Sequence, residues 1–122
     1  MALEPKVKKA WVKALRSGKY RQSYASLKAV KNKHSSYCCL GVLAEVKGVK
    51  WERMVSYSHT VDRCPRVNGK IVSEDESAVY LDPKFAGISI KIQKKLAEMN
   101  DGDQYGKVYN FREIADYIEK NL

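Results

Sequence analysis

Five residues hold the nucleophilic and metal-ligating chemistry of this 122-residue chain: Cys38, Cys39 and Cys64 as thiols, His34 and His59 as bases or ligands. A cysteine nucleophile needs a base within reach and a third group to orient that base. No local signature ties any of the thiols to either imidazole. As a metal set the five are no better. Neighbouring cysteines in a helix point about 100° apart, so they rarely chelate one ion, and the spacing matches no zinc motif. Asn100-Asp101-Gly102-Asp103 starts like a calcium loop, but Met99 stands where an oxygen ligand is needed and Val108 where the bidentate glutamate belongs. The sequence holds neither a G-x-x-x-x-G-K-[ST] nor a G-x-G-x-x-G loop. No cofactor is expected. An enzyme using Cys39 or Cys38 is the lesser reading, because a cysteine among apolar neighbours acts as a small core residue with a raised pKa.

Binding chemistry is better supplied. The formal net charge is +9 and it sits at one end: residues 1–34 carry ten Lys or Arg against one Glu, while residues 73–122 carry seven against ten acidic groups. Such a field attracts an anionic partner, whether nucleic acid, a nucleotide or an acidic protein face. Arg16, Lys19, Tyr20, Arg21 and Tyr24 set cations beside aromatics, a pairing that can hold phosphate and stack a base. Gln22 adds a hydrogen-bonding amide. Lys28, Lys31, Lys33 and His34 extend the run, and Arg63 and Arg66 form a second cluster around Cys64-Pro65. The candidate ligand site is therefore Arg16, Lys19, Tyr20, Arg21 and Gln22, joined by Arg63 and Arg66. The alternative is structural: the tyrosines pack as strand residues, the cations are solvated, and Arg16 and Lys19 stabilise the C-terminal end of a helix dipole.

These residues need a scaffold. Val7, Ala10, Trp11, Ala14 and Leu15 recur at helical spacing behind Pro5, with Lys6, Lys8, Lys9, Lys13 and Arg16 on the other faces and Gly18 as the stop. Tyr20 to Leu27 reads as extended, and Lys31 to Ser36 as a basic loop. Tyr37 to Val46, apolar nearly all round and closed by Gly48, reads as a short buried helix, with Gly41 marking close approach to another backbone. Trp51 to Asp62 alternates at strand period. Val67-Asn68-Gly69-Lys70-Ile71-Val72 carries a hairpin signal, Glu74-Asp75-Glu76 an acidic loop, and Ala78 to Leu81 a last short strand. Asp82-Pro83 opens a helical turn. Ser89 caps a helix with Ile92, Leu96 and Met99 on one face, closed by Asn100-Asp101-Gly102. Asn110 and Glu113 form a capping box, with Tyr109 and Ile114 as its staple, for a final helix facing Phe111, Ile114, Ala115, Ile118 and Leu122 inward. The class is α+β: a small antiparallel sheet with an N-terminal helix, a short buried central helix and two C-terminal helices packed on it.

Size and composition predict one globular domain, 1–122. No run approaches the roughly 18 apolar residues of a membrane span. The charged N-terminus has no apolar h-region, so no signal peptide is read. Three cysteines, two of them adjacent, argue against a disulfide framework. The expected compartment is the cytoplasm. The oligomeric state, a homodimer included, stays open.

Two segments resemble a known group. One is Trp11-Val12-Lys13-Ala14-Leu15-Arg16-Ser17-Gly18-Lys19-Tyr20-Arg21-Gln22 with Tyr37-Cys38-Cys39-Leu40-Gly41-Val42-Leu43. The other is Leu96-Ala97-Glu98-Met99-Asn100-Asp101 with Phe111-Arg112-Glu113-Ile114-Ala115-Asp116-Tyr117-Ile118-Glu119. Together they resemble small accessory proteins of tailed phages and prophages. The resemblance spans most of the chain but not residues 49–80, and it carries no catalytic residues. It implies a host-takeover or anti-defence protein in the host cytoplasm, a non-catalytic binder of a nucleotide-type signal or an acidic host protein surface. A nucleic-acid-binding protein is the alternative.

Overall fold

A computed structural model of the chain describes residues 3–24, 27–31, 34–49, 52–54, 62–66, 71–75, 78–102 and 106–122. Helix α1, Pro5–Arg16, starts on a proline in its first turn and buries Trp11, Val12 and Leu15. Gly18 follows with φ 77°, the left-handed turn that the sequence pattern requires of it. Strands β1, Lys28–Lys31, and β2, His34–Tyr37, form an antiparallel hairpin in the register Lys28↔Tyr37 to Lys31↔His34. Helix α2, Cys39–Val46, buries Cys39 through Ala44.

Strands β3, Glu52–Met54, and β4, Asp62–Arg66, complete a four-stranded sheet in the order β2-β1-β4-β3. Strands β5, Ile71–Asp75, and β6, Ala78–Leu81, pair antiparallel in a sheet of their own. Three helices close the chain: α3, Pro83–Ala86; α4, Ile90–Asp101; and α5, Phe111–Asn121. The class is α+β, as composition and periodicity indicate.

Four readings change. Of the stretch 31–36 read as a loop, Lys31 and residues 34–36 are paired strand, and 32–33 lie outside the described residues; the polarity of β2 reflects an edge strand whose His34 and Ser35 face solvent. Residues 20–24 form no strand. Their extended stretch makes one parallel bridge, Gln22↔Tyr37, with Ser23 N donating to Tyr37 O and Tyr37 N to Arg21 O; a single bridge imposes little alternation, which is why the pattern there is faint. The strands divide between two sheets, where the sequence suggested one. Residues 67–70, with their Asn-Gly pair, lie outside the described residues; among the described residues, the flanking strands β4 and β5 belong to different sheets. Glu74 and Asp75 lie in β5, not in a loop. Of the alternating stretch 51–62, only β3 and the start of β4 are described.

The core is mainly helix on helix. Trp11, Leu40, Leu43, Leu96, Ile114 and Ile118 are all fully or nearly fully buried in one cluster with Leu81 of β6. Ser89 accepts a hydrogen bond from Ile92 N at the start of α4. The Asn110–Glu113 capping box is formed in both directions at the start of α5. Trp11 Nε1 donates 2.9 Å to Cys39 O, so the indole nitrogen is satisfied inside the core. Among the described residues, no helix is long and apolar enough to cross a membrane.

Candidate functional site

The thiols come first, because a reactive cysteine would decide the chemistry. Cys38 and Cys39 are both buried. Cys38 caps α2, its Sγ accepting from Gly41 N at 3.4 Å. Cys39 Sγ donates to Leu96 O at 3.6 Å. Burial pushes the Cys38 thiol up to about 12 and the Cys39 thiol well above its ordinary range. Both are held as neutral thiols in structural contacts, the state least suited to nucleophilic attack. The side chains of Cys64 and His59 lie outside the described residues. Among the described residues, no three His, Cys, Asp or Glu side chains gather as a metal site.

The binding residues predicted at the end of α1 are largely engaged in holding the fold. Arg16 reaches α5, where its Nη2 contacts Asp116 Oδ1 at 2.6 Å and Glu119 Oε2 at 2.5 Å. Those carboxylates, Asp116 foremost, raise the guanidinium's affinity for its proton. Gln22 points inward: its Nε2 donates to Tyr109 O at 2.9 Å and to Asn100 Oδ1 at 3.1 Å. Tyr20 packs edge-on against Tyr37 with ring centroids 5.2 Å apart, and its hydroxyl pKa is raised, mostly by burial. Lys19 and Arg21 remain on the surface. Arg63 and Arg66 are placed by backbone only, in β4. Arg63 pairs with Ala29 across β1, so β1 and β2 separate β4 from the segment around Gln22, a span of roughly 14 Å at about 4.8 Å per strand. Among the described residues, Arg16, Tyr20 and Gln22 each face a different set of partners; the side chains of Arg63 and Arg66 lie outside the described residues.

What the structure does assemble lies on the outer side of α1. At about 100° per residue, Lys6, Lys9, Lys13 and Arg16 fall within roughly 80° of one another. The centre of that stripe lies about 130° around the helix from the buried face of Trp11, Val12 and Leu15, with Arg16 nearest to it. Lys6, Lys9 and Lys13 are all exposed. No Asp or Glu occurs between Glu4 and Glu45, so nothing nearby in sequence neutralises the stripe. Beside it runs an open trough of about 770 Å³. Pro5 and Val12 line it, Lys8, Lys9, Lys13 and Arg16 supply its charge, and Glu119 closes the end at α5. Lysine stems line such a trough with methylenes while their ammonium groups reach water. Among the described residues the trough lining has no aromatic side chain, and its carboxylate, Glu119, is tied to Arg16. It can attract and position an anion.

In sequence these lysines belong to the positive field of residues 1–34, with a solvated helix face as the alternative, while the candidate site falls past the helix end. The signal was available in the uniform sign of the stripe and in the absence of any i to i+4 acidic partner.

A family model described as a domain of unknown function (DUF8296) matches residues 3–122. No curated protein and no solved structure matches the chain.

Proposed function

The chain belongs to the DUF8296 family, a domain of unknown function, and we propose that it is a non-catalytic protein that binds an anionic partner along the outer face of α1. The observation that carries this is the exposed stripe of Lys6, Lys9 and Lys13 beside a cation-lined trough, with no acidic residue between positions 4 and 45. A one-signed patch raises the local concentration of an opposite charge and steers its approach. The buried, neutral state of Cys38 and Cys39 favours binding over cysteine catalysis. In this reading, the resemblance to phage accessory proteins makes the partner a component of the host cell, and the role one of takeover or anti-defence. The predicted nucleotide pocket at Tyr20 and Gln22 has less support, since both side chains are committed to Tyr37, Asn100 and Tyr109.

The test separates a site from bulk charge. Lys6, Lys9 and Lys13 are changed together to Glu, and in a second variant Lys84, Lys91 and Lys120, which are also exposed, are changed to Glu. The two variants have the same net charge. On a sulfated-polysaccharide column the α1 variant should elute at clearly lower salt than the control variant. Equal elution would mean that only net charge is sensed, and the reading would fail.

A further inference from the structure

Resting on that reading of α1, we infer that its partner is the phosphate backbone of duplex nucleic acid, contacted by Lys6, Lys9 and Lys13 without regard to sequence. Three features select this partner. The first is what the outer face lacks. Protein–protein hot spots are built on buried aromatic or arginine anchors, and α1 offers neither. Its tryptophan is fully buried, and its one arginine is paired to two carboxylates. Single-stranded nucleic acid is gripped by stacking bases on aromatics, and none lines the trough. Duplex phosphates ask only for cations.

The second feature is spacing. The helix rise sets Lys6, Lys9 and Lys13 about 4.5 and 6 Å apart along the axis, wider than the roughly 3.4 Å of axis per phosphate on each strand of a duplex, so each lysine can meet a phosphate of its own. The third is residue type. Lysine is a point charge, not the planar fork that reads guanine edges, so phosphate contact without base readout is what this stripe can deliver.

The geometry also assigns a restraint. Asp116 and Glu119 hold Arg16, the fourth cation of the stripe, and place two negative charges at the end of the trough. The stripe therefore works with three lysines and below its full strength.

The probe is a fluorescein-labelled 20-base-pair DNA duplex of mixed sequence, followed by anisotropy from 50 to 200 mM salt. The logarithm of the affinity should fall with the logarithm of salt by about 0.9 for each phosphate contacted. Changing Lys6, Lys9 and Lys13 to Ala, which keeps helix propensity, should flatten the slope by about 2.7. Changing Asp116 to Asn and Glu119 to Gln should steepen it by about 0.9 as Arg16 joins. A second duplex of scrambled sequence should bind equally. An unchanged slope in the lysine variant would overturn the inference, as would tighter binding to a single strand of the same sequence. Binding to polyglutamate but not to the duplex would remove the nucleic acid and leave the anionic-partner reading standing. Binding to neither would remove both.

Discussion

Gly41→Ala should destabilise the protein even though it places a better helix former inside α2. A Cβ at this position would lie 1.8 Å from the carbonyl oxygen of Leu27 and 2.7 Å from its carbonyl carbon. Ordinary contact between such atoms begins at about 3.5 Å. The obstacle is backbone, and it is pinned: Leu27 O accepts from Cys38 N at 3.2 Å, and Leu27 is buried. On the other side of the glycine lies the fully buried row of Cys39, Val42 and Leu43. Overpacking commonly costs about 1–3 kcal/mol, and backbone against backbone belongs at the top of that range. The gain in helix propensity returns about 1 kcal/mol. The net loss is about 2 kcal/mol, which for a chain of this length lowers Tm by about 8 °C. Gly48→Ala is the control. Nothing lies within 4 Å of its Cβ, but its φ is +75°, so its loss comes from conformation alone and should be about 1 kcal/mol. Thermal denaturation followed by circular dichroism measures both. A Gly41→Ala protein melting within about 2 °C of the parent would refute the contact between α2 and the Leu27 backbone.

The thiols give a second expectation, best read in a Cys64→Ser background. Cys38 and Cys39 should resist a thiol reagent at pH 8 until the protein is unfolded, and rapid labelling of the native state would contradict their burial. Because the folded pKa of Cys38 is raised from 9.0 to about 12, its contribution is fully present below pH 9 and is lost as pH rises toward 12. Denaturant midpoints should fall across that window, and a flat profile would count against it. Asn100 supplies a third. Its Oδ1 accepts from Cys39 N and Gln22 Nε2, and its Nδ2 donates to Ser23 O and Asp101 Oδ1. Asn100→Asp replaces those donors by a buried carboxylate facing a carbonyl and another carboxylate, so the new group's pKa is raised above about 3.9. The variant should approach the parent's stability below pH 4 and fall away as pH rises. A deficit independent of pH would show that Asn100 acts by shape alone.

How much of this was legible in the residues depends on how local the cause is. The α1 and α5 boundaries, the capping box at Asn110 and the buried character of α2 follow from neighbours within one or two turns. Gly41 was legible as a close approach, but its partner, the Leu27 carbonyl, is fourteen positions away and no local pattern names it. The division of the strands between two sheets was not legible, because β1 pairs with β4 across α2 and β3. The Asn-Gly signal looked at two adjacent strands that the fold sends to different sheets. Asn100 reads as the close of its helix and nothing in the sequence marks Gln93, yet both are fully buried. Gln93 exchanges hydrogen bonds with both the N–H and the C=O of Leu81, each at 2.8 Å. A polar residue can be buried only when its partners come to it, and those partners belong to other elements.

The candidate site shifted for the same reason. In sequence, Arg16, Tyr20 and Gln22 look like a mixed set of charge, stacking surface and amide, because each is judged by what its side chain could do. In the fold each side chain already holds a neighbouring element. Arg16 ties α1 to α5, Tyr20 packs on Tyr37, and Gln22 joins the extended segment to α4 and to the start of α5. A residue with several hydrogen-bonding groups at a helix end is well suited to ligands and equally well suited to joining elements, and a chain of this size needs such joins. The lysines of α1 differ because the buried face of their helix already fixes the scaffold, and a solvated ammonium adds little to stability. Three like charges held in line on a fixed helix repel one another and gain no partner within reach in sequence. What they leave free is a line of exposed positive charge, which the proposal assigns to an anion outside the chain.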